Sequence, residues 1–159
     1  MGLGEELGQK LREKGKTIAI AESMTGGLVA SLITDVPGSS AYFVGGVVAY
    51  SNELKTKLLA VQQSTLETFG AVSEQTAAEM AKGIRKLTGA DIGASLTGIA
   101  GPGGGTEKKP IGLVFFAVDS GNEIMEVRKA IIPGNRLEIK QKASEFMLCM
   151  IIECLDRIK

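Results

Sequence analysis

The chain has 159 residues, which suits one domain with one sizeable core, and 44% of its residues are hydrophobic. Lysine plus arginine and aspartate plus glutamate number 18 each, so the formal net charge is zero and no basic excess indicates a nucleic-acid partner. The absence of histidine excludes a Ser-His-Asp or Cys-His catalytic set and any histidine-bound metal.

The predicted elements alternate between helices and strands along the chain. The leucine spacing in residues 2–14 predicts a helix, and the apolar run at 17–21 predicts a short buried strand. Further along we expect a helix at 24–36, a strand at 41–50, helices at 51–61, 64–70 (with a capping box of Ser64 and Glu67) and 73–89, a strand at 90–100, a hairpin of 113–120 with 124–132, and a helix at 135–159. This order predicts an α/β fold: a three-layer α/β/α sandwich with a mixed sheet, forming one domain over residues 1–159.

The chain shows no sign of a membrane or export segment. No apolar run approaches the roughly 20 residues of a membrane span, and the polar N-terminus has no apolar signal core. Cys149 and Cys154 lie among apolar residues, which is typical of free thiols on a buried helix face. We therefore expect a cytoplasmic protein without a membrane partner, whose amphipathic terminal helices favour a homo-oligomer.

The stretch "AESMTGG" at residues 21–27 places Ser23 where a predicted strand turns into a predicted helix. Ligands of α/β proteins bind at such corners, and Gly26 and Gly27 allow backbone N–H groups to converge on an anion or oxyanion. Serine is also the commonest kind of helix cap, so Ser23 has two interpretations: an N-cap, which is the more frequent role, or a nucleophile.

A serine nucleophile needs a base, and lysine can serve when desolvation keeps it neutral. The stretch "YSNELK" places Tyr50 at a strand end and Lys55 one turn into the next helix, although an ordinary solvated lysine fits the same pattern. Arg136 lies at a predicted helix N-terminus, where the helix dipole disfavours a cation. It is either a ligand for a substrate phosphate or carboxylate or a surface arginine.

A second glycine-rich corner, "LTGIAGPGGG", occupies residues 96–105. It lacks the lysine of a P-loop, and its similarity to a dinucleotide fingerprint is weak. The two interpretations are a ligand-binding corner and a mobile surface loop.

Four motifs taken together resemble the CinA C-terminal domain family, which includes nicotinamide mononucleotide deamidases. They are "AESMTGG", "PGSSAYFVGGVVAYSNELK", "GAVSEQTAAEMAKG" and "TGIAGPGGGTEKKPIG", in this order and spacing. The resemblance extends over residues 3–157 and implies a stand-alone form, without the molybdopterin-binding-like domain of many relatives. It also implies hydrolysis of the carboxamide of nicotinamide mononucleotide to nicotinate mononucleotide and ammonia, with no metal and no organic cofactor.

The resemblance further implies a serine–lysine mechanism at defined positions. Ser23 would be the nucleophile, Lys55 the base and Tyr50 a residue that orients Lys55 or shares its proton. We expect the oxyanion to be bound by backbone N–H groups near Gly26 and Gly27. The predicted substrate-binding residues are Thr25, Gly26, Gly27, Thr97, Gly98, Gly101 and Arg136.

Two other functions remain open at this point, because a fold does not determine an activity. One is a non-catalytic nucleotide-binding or regulatory module of the same fold. The other is a Ser-Lys amidohydrolase that acts on a different amide. All three interpretations involve a small-molecule partner and no nucleic acid.

Overall fold

The computed structural model describes all residues from 1 to 159 and confirms the predicted succession of helices and strands. The helices are α1 Leu3–Lys14, α2 Leu28–Thr34, α3 Asn52–Leu59, α4 Gln63–Phe69, α5 Glu74–Thr88 and α6 Arg136–Leu155. The strands are β1 Ile18–Glu22, β2 Phe43–Val48, β3 Ile92–Gly98, β4 Leu113–Asp119 and β5 Met125–Ile131, and a 3-10 turn occupies Ser39–Ala41.

The five strands form one mixed sheet in the order β2-β1-β3-β4-β5. β1 runs parallel to both β2 and β3, whereas β4 is antiparallel to β3 and β5. Helices α1, α2 and α6 cover one face, and α5 covers the other, with α3 and α4 packed against it. The predicted three-layer α/β/α sandwich with a mixed sheet is therefore confirmed.

Strand β1 is buried on both faces, as expected for a central parallel strand. Ile18 and Ile20 belong to the larger core, a cluster of 26 buried residues on the α6 side. Ala19 and Ala21 belong to a smaller core under α5. Glu22 ends this apolar strand, yet it is only 1% exposed. A charged group at that depth needs several hydrogen-bond donors around it.

The predicted helix at 24–36 begins only at Leu28, and this difference decides the role of Ser23. Gly26 and Gly27 have φ angles of +63° and +105°, in the left-handed region, so they interrupt the chain between strand and helix. Gly27 is the N-cap residue of α2, which has no side-chain cap. Ser23 is therefore not a helix cap, and residues 23–27 form a loop.

The capping pattern explains where most of the other helices begin. Ser51 accepts a hydrogen bond from the Leu54 amide at 3.1 Å, Ser73 caps α5, and Asn135 forms a capping box with Glu138. The predicted box starting at Ser64 was wrong. Gln62 is the N-cap of α4, because the helix starts two residues earlier than the serine pattern indicated.

Helices α3 and α5 approach each other closely at Gly83. A Cβ atom on this residue would lie 1.9 Å from the carbonyl oxygen of Leu59, the last residue of α3. Only glycine permits this approach. The contact anchors α3, and with it Lys55, against the helix that covers the sheet.

Cys154 is buried and Cys149 is exposed, and both thiols are free. The expected free thiols are confirmed, but the expected burial of both was wrong, because the two residues lie on different sides of α6. No helix has the length and apolar character needed to cross a membrane.

Candidate active site

The parallel arrangement of β1, β2 and β3 brings three loops to one edge of the sheet. The carboxyl ends of these three strands are Glu22, Val48 and Gly98. After β1 the chain continues into α2 on one face, whereas after β2 it continues into α3 on the other face. Ligand sites of open α/β sheets form in the crevice that this divergence opens.

A cavity of about 270 Å³ lies at this edge. Two larger depressions of about 500 Å³ exist, one beside β5 and one between α3 and α4, but neither contains a group with the reactivity described below. The cavity at the edge of the sheet brings together most of the residues that the sequence predicted. It is lined by Ser23, Met24, Tyr50, Asn52, Lys55, Ala71, Val72, Thr97, Gly98, Ile99, Ala100, Gly101, Gly103, Gly104 and Arg136.

Ser23 and Lys55 meet at the bottom of the cavity. The Nζ atom of Lys55 lies 3.0 Å from the Oγ atom of Ser23, and both residues are buried, at 1% and 7% exposure. Nζ also donates to the carbonyl oxygens of Ala49, at 2.7 Å, and Tyr50, at 3.3 Å. Two carbonyls thus bind two N–H groups of the amine, and the third position of the nitrogen faces the serine hydroxyl. In a neutral amine that position holds the lone pair, which can accept the serine proton.

The electrostatics of Lys55 favour the neutral amine. No carboxylate lies within salt-bridge distance of it, so nothing offsets the loss of water around the ammonium group. Burial lowers the pKa of Lys55 from 10.5 to about 8. About a tenth of the lysine is then neutral at pH 7, compared with less than a thousandth for a free lysine. The solvated lysine of the alternative interpretation is therefore excluded.

The buried carboxylate of Glu22 anchors the loop that carries Ser23 through hydrogen bonds. Its Oε1 atom accepts hydrogen bonds from the Thr25 hydroxyl at 2.6 Å and from the amides of Gly27, at 3.2 Å, and Val29, at 3.0 Å. Its Oε2 atom accepts from the Ala30 amide at 2.9 Å. The buried carboxylate thereby takes up free donors of the loop and of the first turn of α2.

This arrangement corrects the predicted roles of Thr25, Gly26 and Gly27. None of the three lines the cavity. The hydroxyl of Thr25 and the amide of Gly27 both donate to Glu22, and the amide of Gly26 donates to the Ser23 carbonyl at 3.1 Å. Because these groups are already hydrogen-bonded, they shape the corner and do not contact a ligand in the cavity. For the same reason, the oxyanion donors expected near Gly26 and Gly27 are not the amides of these two glycines.

The free amides of this loop belong to Ser23 and the two residues that follow it. The N–H groups of Ser23, Met24 and Thr25 have no hydrogen-bond partner within the chain, and of these residues Ser23 and Met24 line the cavity. Buried amides are almost always paired in folded proteins. The two unpaired amides that belong to cavity-lining residues, beside a serine hydroxyl, suit a bound negatively charged oxygen.

Tyr50 contacts Lys55 through its backbone and not through its ring. Its carbonyl accepts from Nζ, while its phenol accepts from Nη2 of Arg136 at 3.2 Å and forms no hydrogen bond with the buried amine. Tyr50 is 62% exposed, so the phenol belongs to the rim of the cavity. Of the two expected roles of Tyr50, the geometry favours orientation of Lys55 through the carbonyl over proton sharing through the phenol.

Arg136 connects this rim to the second glycine-rich corner. Its Nη1 atom donates to the carbonyl of Gly101 at 2.7 Å, and it forms no salt bridge with a carboxylate. An arginine side chain has five N–H donors, so three remain for an anion. The guanidinium is thus held in place and still lacks a counter-ion.

Thr97 and Gly98 form the floor of the second corner. The hydroxyl of Thr97 donates to the Ala71 carbonyl at 2.9 Å and can still accept a hydrogen bond. A Cβ on Gly98 would lie 2.7 Å from the Leu113 carbonyl oxygen, so strand β4 requires glycine there. Gly101 has a φ of +78°. The segment 99–105 therefore has a defined conformation, and most of its residues line one side of the cavity.

Sequence reasoning missed Glu22 and Asn52. Asn52 lines the cavity at the first position of α3. A signal for Glu22 did exist, because a carboxylate directly follows the apolar run "TIAIA" at a position where the strand is still buried. No spacing rule indicated Asn52.

The comparison with known proteins agrees with this architecture. A family model described as the CinA C-terminal domain matches residues 2–155. A relative from Desulforudis audaxviator, named as a competence-damage inducible protein, is 53% identical over 151 residues, which cover 95% of this chain and 36% of that protein. The chain thus spans about a third of the length of the curated relatives that it matches.

Solved structures match over nearly their whole length. Competence damage-inducible protein A from Klebsiella pneumoniae superposes with a TM-score of 0.94 at 34% identity, covering 99% of this chain and 97% of that chain. Competence/damage inducible protein CihA from Agrobacterium tumefaciens gives a TM-score of 0.90 at 39% identity, with 98% and 97% coverage. The sequence motifs, the fold and these matches agree: the chain belongs to the CinA C-terminal domain family.

Proposed function

We propose that the protein is an amidohydrolase that converts nicotinamide mononucleotide to nicotinate mononucleotide and ammonia through Ser23 and Lys55. The observation that carries the proposal is the 3.0 Å contact between Lys55 Nζ and Ser23 Oγ in a buried setting without a counter-ion. A nucleophile next to a desolvated base is the arrangement that covalent amide hydrolysis needs. The substrate follows from the resemblance of the four motifs to the deamidases.

The first half of the reaction forms an acyl-enzyme. Neutral Lys55 accepts the proton of Ser23 while Oγ attacks the carboxamide carbon, and the carbonyl oxygen becomes a tetrahedral oxyanion. The free amides of Ser23 and Met24 are the donors available to it. The protonated Lys55 then transfers its proton to the amide nitrogen, the C–N bond breaks, ammonia leaves, and a nicotinoyl ester of Ser23 remains.

The second half uses the same groups. Lys55, again neutral, takes a proton from water as the water oxygen attacks the ester carbon. Collapse of the second oxyanion breaks the bond to Oγ, and Lys55 returns the proton to Ser23. The product is a carboxylic acid that releases its proton to solvent and becomes a carboxylate, and neither half requires a metal or an organic cofactor.

The open end of the cavity suits the ribose phosphate. Arg136 offers three N–H donors and lies beside the glycine-rich wall of residues 99–105. Tyr50 connects the two ends of the cavity, because its carbonyl contacts Lys55 and its phenol contacts Arg136. An aromatic amide placed at Ser23 and an anion placed at Arg136 would therefore lie on opposite sides of this tyrosine.

Release of ammonia from nicotinamide mononucleotide by the purified chain tests the proposal, with Ser23→Ala as the control. Turnover that disappears in the variant supports it. Binding of the mononucleotide without ammonia release would make the protein a non-catalytic nucleotide-binding module. Release from free nicotinamide or the riboside at the same rate would indicate another amide as the substrate. Cytoplasmic location, a single domain and a homo-oligomer stay predictions.

A further inference from the structure

Glu22 has an environment that the proposed reaction leaves unexplained. Its carboxylate is 1% exposed, has no cation partner and accepts four hydrogen bonds from the loop and from α2. Burial of an unpaired charge is costly unless hydrogen bonds satisfy it. A neutral, apolar residue would suit the end of a buried strand better, so the charge has a role at this corner.

Glu22 does not act on the reacting groups directly. Neither of its oxygens bonds to Ser23 or Lys55, and the lowered pKa of Lys55 has burial as its cause with no contribution from a carboxylate. A role as a general base is therefore excluded by geometry.

The hydrogen bonds to Glu22 determine which amides of the loop stay free. The amides of Gly27, Val29 and Ala30 all turn towards the carboxylate, and Thr25 is tied to it by its hydroxyl. The amides of Ser23, Met24 and Thr25 are unpaired, and of these three residues Ser23 and Met24 line the cavity. The tight loop that Gly26 and Gly27 permit thus has a fixed inner side at Glu22 and a free outer side at the cavity.

We propose that Glu22 is the positioning residue that presents Ser23 and the free amides of Ser23 and Met24 to the substrate, and that these two amides form the oxyanion hole. The identity of the substrate in this inference rests on the proposed function. The geometry of the loop does not depend on it. It predicts an effect of Glu22 on the tetrahedral state and none on substrate binding or on the base.

The substitution Glu22→Gln tests this proposal at constant side-chain volume. If its oxygen keeps the three donors on Oε1, its NH2 group faces the Ala30 amide, so two donors oppose each other and the loop shifts. Misplacing one oxyanion donor costs about 100-fold or more in turnover. We expect a loss of kcat of about 100-fold, an unchanged KM and an unchanged midpoint of the pH profile.

Asp91→Asn is a matched control, a carboxylate that accepts backbone and hydroxyl hydrogen bonds at the other end of the sheet. Asp91 accepts hydrogen bonds from the amide, at 2.9 Å, and the hydroxyl, at 3.1 Å, of Thr17, just before β1 begins. Asp91 directly precedes β3, at the edge of the sheet opposite to the one that carries Ser23. This variant removes a carboxylate cap of β1 without touching the corner, so its kcat should equal that of the wild type even if its stability falls.

Reaction of Ser23 with an alkyl fluorophosphonate separates this proposal from the proposed function. Oγ attacks phosphorus, the P–F bond breaks, fluoride leaves, and the serine proton passes to Lys55. A wild-type protein that reacts without hydrolysing nicotinamide mononucleotide would refute the proposed function alone. Equal labelling rates in wild type and Glu22→Gln would overturn the positioning role, whereas a loss of labelling parallel to the loss of kcat supports it.

Thr25→Val is the milder variant if Glu22→Gln does not fold. It removes only the 2.6 Å hydrogen bond to Oε1. A smaller loss of kcat at constant KM is expected. A shifted pH midpoint in either variant would overturn the proposal, because it would show that Glu22 acts on Lys55 and not on the loop.

Discussion

The lowered pKa of Lys55 should be measurable in two independent ways, as activity and as stability. Burial places this pKa at about 8 in the folded protein, whereas an unfolded chain has the ordinary value near 10.4. The base is active only when neutral, so kcat/KM should rise with pH through one ascending limb with a midpoint near 8. No histidine is present to add a limb near pH 6 to 7.

The stability effect has a definite sign. Between pH 8 and 10.5 the unfolded chain holds a proton on this lysine that the folded chain has lost, so the free energy of unfolding rises with pH. The difference of about 2.5 pKa units corresponds to about 3 kcal/mol. Lys55 therefore destabilises the fold by about this amount at pH 7, and the penalty disappears as the pH approaches 10.5.

The assay compares urea unfolding of the wild type and Lys55→Met from pH 7 to 10.5. Subtracting the two curves removes the titration of all other groups. The stability of the wild type relative to the variant should increase by about 3 kcal/mol across this range. A flat difference would refute the reasoning, since it would mean that Lys55 keeps an ordinary pKa. A difference that falls with pH would mean that a hidden counter-ion raises it.

The remaining predictions concern single groups. Ser23→Ala and Lys55→Ala should each abolish most turnover with the fold retained, and the double variant should lose little more, as steady-state kinetics would show. Arg136→Ala should lower kcat/KM for the mononucleotide far more than for the riboside; equal losses would place the arginine outside the phosphate site. Tyr50→Phe should raise KM with kcat and the pH midpoint retained, because only the contact to Arg136 is lost. A fall in kcat would indicate that the phenol takes part in proton transfer. Gly83→Ala should lower the free energy of unfolding by about 3 kcal/mol in urea titrations, and a chelator should leave activity unchanged.

Local patterns in the sequence were sufficient to predict most of the fold. Periodicity, capping residues and glycine or proline stops depend on neighbours within a few residues, and they located every strand and helix to within a few positions. The order of elements then limited the architecture to helices around a mixed sheet. Errors occurred where a local rule competed with a contact distant in sequence. At residues 24–27 the serine and glycine pattern indicated a helix start, but the glycines interrupt the chain and Glu22 anchors the loop.

The sequence was sufficient to predict most residues of the candidate site, but not the contacts that these residues make. Ser23, Lys55, Thr97 and Arg136 could be named because each lies at the end of a strand or the start of a helix, and parallel strands bring such ends together. The resemblance to the family added the serine–lysine pairing.

The sequence by itself determined that any base had to be a residue other than histidine, and that glycine-rich corners follow the predicted strands. Only the tertiary structure decided that Lys55 is desolvated, that Tyr50 contacts it through a carbonyl and that the Gly27 amide donates to Glu22. The physical reason is that burial and hydrogen-bond partners depend on all elements packed around an atom. For Lys55, the partner serine is 32 residues away in the chain and 3.0 Å away in space.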